Sequence, residues 1–170
     1  TVPFRAGATG ISARSFAGCA ALRHIAIPAS VANIADNAFA DCPELALGAD
    51  EPLEVVIPEG TTDIGAGEFS GRGDIASLTI PASVESIAEN AFAGCTGLVS
   101  VAISQNVLDM GFRNVFPDSY ATIEHIVLLG DVTNIPDCAF EGCAALSEIE
   151  IPDGVVYVGV DAFLGCFRLE

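Results

Sequence analysis

The fold of this chain is decided by a stretch that occurs twice. Residues 27–42 read Ile-Pro-Ala-Ser-Val-Ala-Asn-Ile-Ala-Asp-Asn-Ala-Phe-Ala-Asp-Cys, and residues 80–95 read Ile-Pro-Ala-Ser-Val-Glu-Ser-Ile-Ala-Glu-Asn-Ala-Phe-Ala-Gly-Cys. The phenylalanine of this stretch recurs along the whole chain, at Phe16, Phe39, Phe69, Phe92, Phe116, Phe140 and Phe163. Such a period is typical of a solenoid, in which each repeat buries its apolar side only by stacking on its neighbours. The chain is therefore predicted to form about seven stacked coils of ~23 residues.

Each coil is predicted to contain one strand and one short helical turn. In the segment Leu-x-x-Ile-x-Ile-Pro the apolar residues alternate with exposed ones, as in a strand, and the proline removes a donor where pairing should stop. A polar residue ahead of Ala-Phe, such as Asp36, Glu89, Asp137 or Asp161, could accept hydrogen bonds from a helical turn. Two residues after each phenylalanine stands a glycine or aspartate that suits a left-handed helix terminus: Gly18, Asp41, Gly71, Gly94, Asp118, Gly142 or Gly165.

The motif at 27–42 and 80–95 resembles the BspA-like (Treponema-type) leucine-rich repeat family, and the resemblance covers nearly the whole chain. It implies an α/β fold: a right-handed, curved solenoid with parallel strands on the concave face and one short helical turn per coil. Proteins of this family are often displayed on microbial surfaces, so the resemblance implies an extracellular or cell-surface location. The repeat pattern is cut at both ends and no signal peptide is visible. We therefore expect residues 1–170 to be a single solenoid domain and a fragment of a longer repeat array.

Two coils depart from the pattern. The segment Ala46–Pro52 lengthens the second coil and predicts a surface bulge there. In the fifth coil an extra residue lies on each side of Phe116, Ser119 replaces the usual cysteine, and Ser104 and Leu129 stand where proline is usual. The fifth coil is therefore predicted to be the most irregular.

Composition excludes two classes of partner. The chain has 23 acidic residues against six basic ones and a net charge of −17. Such a surface repels nucleic acid and anionic membranes, because both are bound through basic side chains. Mean hydropathy is +0.54, yet no apolar run is long enough to span a bilayer. We expect neither nucleic-acid binding nor direct membrane insertion, and we interpret the acidic residues as a solvated surface that keeps an apolar-rich repeat in solution.

Five cysteines occupy one position of the repeat, three residues after phenylalanine: Cys19, Cys42, Cys95, Cys143 and Cys166. Periodicity explains them as a ladder of small buried groups and not as a zinc site. Stacked neighbours would have Cα atoms about 4.8 Å apart, within disulfide range, so Cys19–Cys42 and Cys143–Cys166 bridges stay open beside the favoured free thiols. Cys95 has Arg72 and Ser119 at the same position in the adjacent coils and therefore no partner.

No catalytic or metal-binding constellation is visible, so we expect no enzyme activity and no cofactor. His24 and His125 fall at the same strand position four coils apart, which separates them by about 19 Å. They cannot share a metal ion or a catalytic centre. The run Gly65–Gly71 has its third glycine one residue too late for a dinucleotide-binding loop. The chain also lacks the spacing of a Ca²⁺-binding loop.

Arg72-Gly73-Asp74 spells the tripeptide recognised by integrins and lies in the loop between helical turn and strand. Arg72 takes the position of the usual buried cysteine, and we expect a charged residue there to swing outward. The tripeptide is thus a candidate integrin-type motif, favoured by its place in a loop, although chance alone would produce it in about one chain in 25 of this composition and most occurrences are not binding sites.

The outward strand positions form the candidate concave binding face: His24, Ala26, Glu54, Val56, Ser77, Thr79, Ser100, Ala102, His125, Val127, Glu148 and Glu150. This face is small in the middle and acidic toward one end, which could seat an extended or basic partner. The leading interpretation is a non-enzymatic protein-binding and adhesion module of a microbial cell-surface protein that contacts host matrix or other cells. The alternative is a structural spacer that displays another domain. The sequence leaves the identity of the partner, the flanking domains and the oligomeric state open.

Overall fold

The computed structural model describes residues 8–20, 22, 31, 33–35, 37–40, 42 and 53–170. The expected bulge at 46–52 lies outside them, as do His24, Ala26, Asp36 and Asp41. The described elements, in chain order, are β1 (Gly10–Ile11), β2 (Asn33–Ile34), β3 (Leu53–Val56), β4 (Asp63–Ile64), β5 (Ile75–Thr79), β6 (Ser86–Ile87), β7 (Ser100–Ser104), α1 (Gln105–Met110), α2 (Phe112–Val115), β8 (His125–Leu129), β9 (Asn134–Ile135), β10 (Glu148–Ile149) and β11 (Tyr157–Val158).

The chain winds as a parallel-strand solenoid with little helix, which confirms the predicted fold class. The concave sheet has the order β10-β8-β7-β5-β3, and all its pairs are parallel. Its inward residues, among them Ile75, Leu78, Val101 and Ile126, belong to one continuous apolar core. Five concave strands lie within the described residues, fewer than the predicted coils, because the first concave strands were expected in segments outside that range.

A second parallel sheet, which sequence periodicity did not predict, has a strand after the turn that follows each of the concave strands β3, β5, β8 and β10. It consists of two-residue strands in the order β1-β2-β4-β6, and it resumes as a separate pair, β11-β9. In three of these strands the isoleucine is buried in the core, namely Ile11, Ile64 and Ile135, whereas Val158 of β11 is exposed. Two residues are too few to show an alternating pattern in the sequence.

The phenylalanines form a stacked ladder through the core. Ring centroids are 5.3 Å apart for Phe16 and Phe39 and 5.2 Å apart for Phe69 and Phe92, and both pairs are nearly parallel. A third ladder of backbone hydrogen bonds runs beside the rings: the N–H of Phe69 donates to the carbonyl of Ala91, and the N–H of Gly71 to that of Ala93, both at 2.8 Å. The same two bonds recur from Phe16 and Gly18 and from Phe140 and Gly142.

The predicted helical turn is present as consecutive i→i+3 turns and not as α-helix. The reason is a left-handed residue two positions before the phenylalanine, which interrupts any right-handed helix. Its φ is 57° at Asn37, 59° at Asn90 and 55° at Cys138. Asp137 does not serve its own turn as expected, because its Oδ1 accepts the N–H of Val160 in the next coil at 2.8 Å. The expected left-handed glycines after phenylalanine are confirmed at Gly18, Gly71, Gly94, Gly142 and Gly165.

The fifth coil is irregular, as predicted, because α1 and α2 replace its second strand and its turn. Side chains there take the place of missing backbone partners. Asn106 Nδ2 donates to the carbonyls of Ala82 and Val84 at 3.2 and 2.9 Å. Gln105 Oε1 accepts the N–H groups of Thr133 and Asn134 at 3.2 and 3.3 Å, just as the carbonyl of Thr62 accepts two successive N–H groups two coils earlier.

The phenylalanine ladder is rerouted in the same coil. Phe112 enters between Phe116 and Phe140, with ring centroids 5.0 Å from the first and 5.3 Å from the second. Asp118 Oδ2 accepts the N–H of Gly94 at 2.8 Å, where other coils offer a carbonyl. The concave sheet is untouched, since β7 and β8 pair over all five residues from Ser100 to Ser104.

Candidate interaction surface

The concave sheet aligns the predicted outward positions in two rows. One row contains Glu54, Ser77, Ser100, His125 and Glu148, each paired in register with the next. The other contains Val56, Thr79, Ala102 and Val127, and Glu150 follows β10 two residues after Glu148. The structure thus brings together every predicted concave residue that it describes; His24 and Ala26 lie outside the described residues. Whether the face binds anything stays a prediction.

The outward side chains of the concave sheet differ in size and exposure from strand to strand. Glu54, His125, Glu148 and Glu150 are exposed, and so are Val56 and Val127, at 56% and 50%. The middle strands carry only small, half-buried side chains: Ser77, Thr79, Ser100 and Ala102. The result is a low floor over β5 and β7 between two higher edges, with carboxylates on the edge strands.

The Arg-Gly-Asp tripeptide is not displayed as expected. The prediction that Arg72 swings outward is wrong: its side chain is 3% exposed. Its Nε and Nη2 donate to the two carboxylate oxygens of Asp74, both at 2.9 Å. A bidentate partner two residues away lets the guanidinium stay at the buried rung, because the charge is neutralised and its donors are satisfied. Integrin binding by residues 72–74 stays a prediction, and it would require this pair to open.

The cysteine ladder is buried as predicted at Cys42, Cys95 and Cys143, whereas Cys19 and Cys166 are half-buried. All six cysteines of the chain are free thiols in the structure. The thiols are also hydrogen-bond donors, which periodicity alone did not show. Cys42, Cys95 and Cys166 each place Sγ near the carbonyl of the phenylalanine one coil earlier, at 2.7, 3.2 and 3.2 Å. Burial raises the pKa of Cys95 and of Cys143 to about 12. The thiols of Cys95 and Cys143 are therefore protonated at neutral pH, as suits a structural role.

Cys138 stands outside the ladder, and the sequence pattern gave it no role. It occupies the left-handed position before Phe140 and is exposed. Desolvation, followed by the charge of Glu141, raises the pKa of its thiol. Within the described residues no three or more His, Cys, Asp or Glu side chains gather in a way that could hold a metal ion. In the same part of the chain, no helix is both long and apolar enough to cross a bilayer.

Comparison with known proteins agrees with this geometry. The model of the BspA-type leucine-rich repeat region matches residues 1–48 and 62–170, in six copies. The chain belongs to this family. Among proteins of curated function no sequence match is found. Because the chain belongs to this leucine-rich repeat family, it is, in general type, a protein-interaction scaffold.

Two solved structures illustrate the likeness. A leucine-rich repeat protein from Eubacterium ventriosum is 24% identical, with a TM-score of 0.63 over 91% of this chain. The Treponema pallidum leucine-rich repeat protein is 26% identical, with a TM-score of 0.50 over 95% of this chain. The chain spans 40% of the length of the first and 71% of the second.

Proposed function

We propose that this BspA-type repeat is a non-enzymatic protein-binding and adhesion module of a microbial cell-surface protein, and that it contacts host matrix or other cells through the concave sheet. The observation that supports the proposal most directly is the pair of in-register rows on that sheet. Five parallel strands hold these side chains at fixed spacing, so little conformational entropy is lost when a partner docks.

The negative charge of the chain indicates what kind of partner the concave face favours. The chain carries −17 overall, and Glu54, Glu148 and Glu150 place carboxylates on the concave face itself. Within the described residues, three arginines already contact carboxylates of the chain: Arg72 with Asp74, Arg113 with Glu141, and Arg168 with Glu124. A partner with basic groups is therefore favoured, and its affinity should fall as salt rises.

Attachment of beads that carry the chain tests this proposal. Wild type is compared with the double reversal Glu148→Lys and Glu150→Lys on immobilised fibronectin, laminin, collagen and cultured cells. Glu85→Lys with Glu89→Lys is the matched control, because both glutamates are exposed, lie away from the concave strands and give the same net charge. We expect the concave reversal to reduce attachment at least fivefold and the control to leave it within twofold.

The alternative function, a spacer that displays another domain, predicts a different result. No surface would then bind these targets above the background of uncoated beads, and the two reversals would behave alike. Attachment that the control reversal weakens and the concave reversal does not would place the binding site elsewhere on the solenoid.

A further inference from the structure

The concave sheet forms a trough whose width can be derived from strand spacing. Its floor is β5 and β7, which carry Ser77, Thr79, Ser100 and Ala102. The exposed valines of β3 and β8, Val56 and Val127, stand on either side. They are paired in register through Thr79 and Ala102, so they lie three strand spacings apart, which is about 14 Å.

The trough offers side chains only. The backbone N–H and C=O groups by which β5 and β7 pair lie in the plane of the sheet and bond to the neighbouring strands, so they do not face the trough. An extended segment on this face could not pair its own amide groups with the sheet, whereas a helix satisfies its amide groups internally. A helix with its side chains is about 10–12 Å across, which matches the trough.

We propose that the trough binds an amphipathic α-helix of a partner protein, lying along β5 and β7 with its apolar stripe on the floor and with basic residues on its flanks. The small floor residues admit large apolar side chains of the helix, and Val56 and Val127 contact their sides. Lysine or arginine on one flank reaches Glu54, and on the other flank it reaches toward Glu148 and Glu150. The inference rests on the proposed function, since it names the kind of partner that the concave face takes.

A synthetic helix tests the inference. The probe is a fluorescein-labelled 18-residue peptide with a Leu/Phe stripe flanked by lysines, and binding is measured by fluorescence anisotropy. One control peptide has the same composition in scrambled order, so that its charge is kept and its stripe is lost. A second has glutamate in place of every lysine. We expect the amphipathic peptide to bind wild type at least tenfold more tightly than either control.

Two variants locate the contact. Ala102→Phe fills the floor and should weaken binding of the amphipathic peptide at least tenfold. Ala88→Phe, the same change at an exposed position after β6, should leave binding within twofold. Glu54→Lys should weaken binding about fivefold and flatten its salt dependence, whereas Glu85→Lys at equal net charge should not. Because Glu54 is exposed, its variant decides the matter even if Ala102→Phe does not fold.

Equal binding of the amphipathic and scrambled peptides, or an affinity that Glu54→Lys leaves unchanged, would overturn the helix proposal. Equal or tighter binding of an extended Lys-Gly repeat peptide would also overturn it. These failures differ from failure of the proposed function. Attachment to matrix or cells that still depends on Glu148 and Glu150 would keep the adhesion proposal and remove only the helix. Helix binding without any such attachment would do the opposite.

Discussion

Truncation of one rung of the phenylalanine ladder measures how much the ladder stabilises the solenoid. Phe92 is fully buried, and its ring centroid lies 5.2 Å from that of Phe69 and 5.6 Å from that of Phe116. The change Phe92→Ala removes a ring that fills the space between two coils. Three hydrogen-bonded ladders on the side of Phe69, and the concave sheet on the side of Phe116, hold the neighbours so that they cannot close the gap. We expect the free energy of unfolding to fall by about 3–5 kcal/mol.

The end of the ladder supplies an internal comparison. Phe163 is half-buried, and among the described residues its ring stacks on that of Phe140 alone, with the centroids 5.4 Å apart. Phe163→Ala should therefore cost about half as much, about 1.5–2.5 kcal/mol. Both changes in the free energy of unfolding can be measured by urea unfolding followed by far-UV circular dichroism. A loss below about 1 kcal/mol for Phe92→Ala, or an equal loss for both variants, would contradict the stacked core.

Three further measurements test the buried polar groups. Alkylation followed by mass spectrometry should label Cys138 first in the native state, because it is exposed, and Cys95 and Cys143 last, since a pKa of about 12 leaves only about one thiolate in 10⁴ at pH 8; equal rates would refute the ladder. Asp74→Ala should cost about 3–5 kcal/mol in urea unfolding, because it leaves Arg72 buried without its partner, and adding Arg72→Cys should restore most of the loss. Ser119→Ala should raise the free energy of unfolding by about 1 kcal/mol, since the buried hydroxyl has no hydrogen-bond partner among the described residues; a loss of stability would show that the hydroxyl is paired.

The sequence was sufficient for the concave face, because a period of two over the five-residue strands decides which side chains point outward. Ser77, Ser100 and His125 follow from that rule, and the observed register confirms their alignment. The period of two did not predict the left-handed residue two positions before each phenylalanine. Asparagine at Asn37 and Asn90 was a signal for it, because asparagine tolerates positive φ.

Arg72 and Phe112 show where pattern reasoning failed. The charged side chain of Arg72 was expected to leave the core, but Asp74, two residues later, neutralises it in place. Interpreting Arg-Gly-Asp as a binding motif drew attention away from this ion pair. Phe112 falls outside the repeat period, yet its spacing of four residues before Phe116 is typical of a helix and brings the two rings together. The binding partner could not be predicted, because a repeat pattern specifies the scaffold and not what the surface recognises.

The fifth coil interrupts the second sheet and thereby separates two parts of the solenoid that only the concave sheet joins without a break. Elsewhere the second sheet and the ladder of hydrogen bonds beside the phenylalanines join neighbouring coils through backbone N–H and C=O groups, which do not depend on side-chain identity. Around α1, the hydrogen bonds seen among the described residues between the two parts of the second sheet come from the side-chain amides of Gln105 and Asn106. In a stack whose stability is a sum of nearest-neighbour couplings, a weaker coupling is where unfolding of one part stops before it reaches the next. We therefore expect substitutions at Gln105 to loosen the contact between the two parts on the side of the second sheet, while the paired strands β7 and β8 keep the parts joined. Amide hydrogen exchange should then show the protection near β6 and near β9 lost in separate steps.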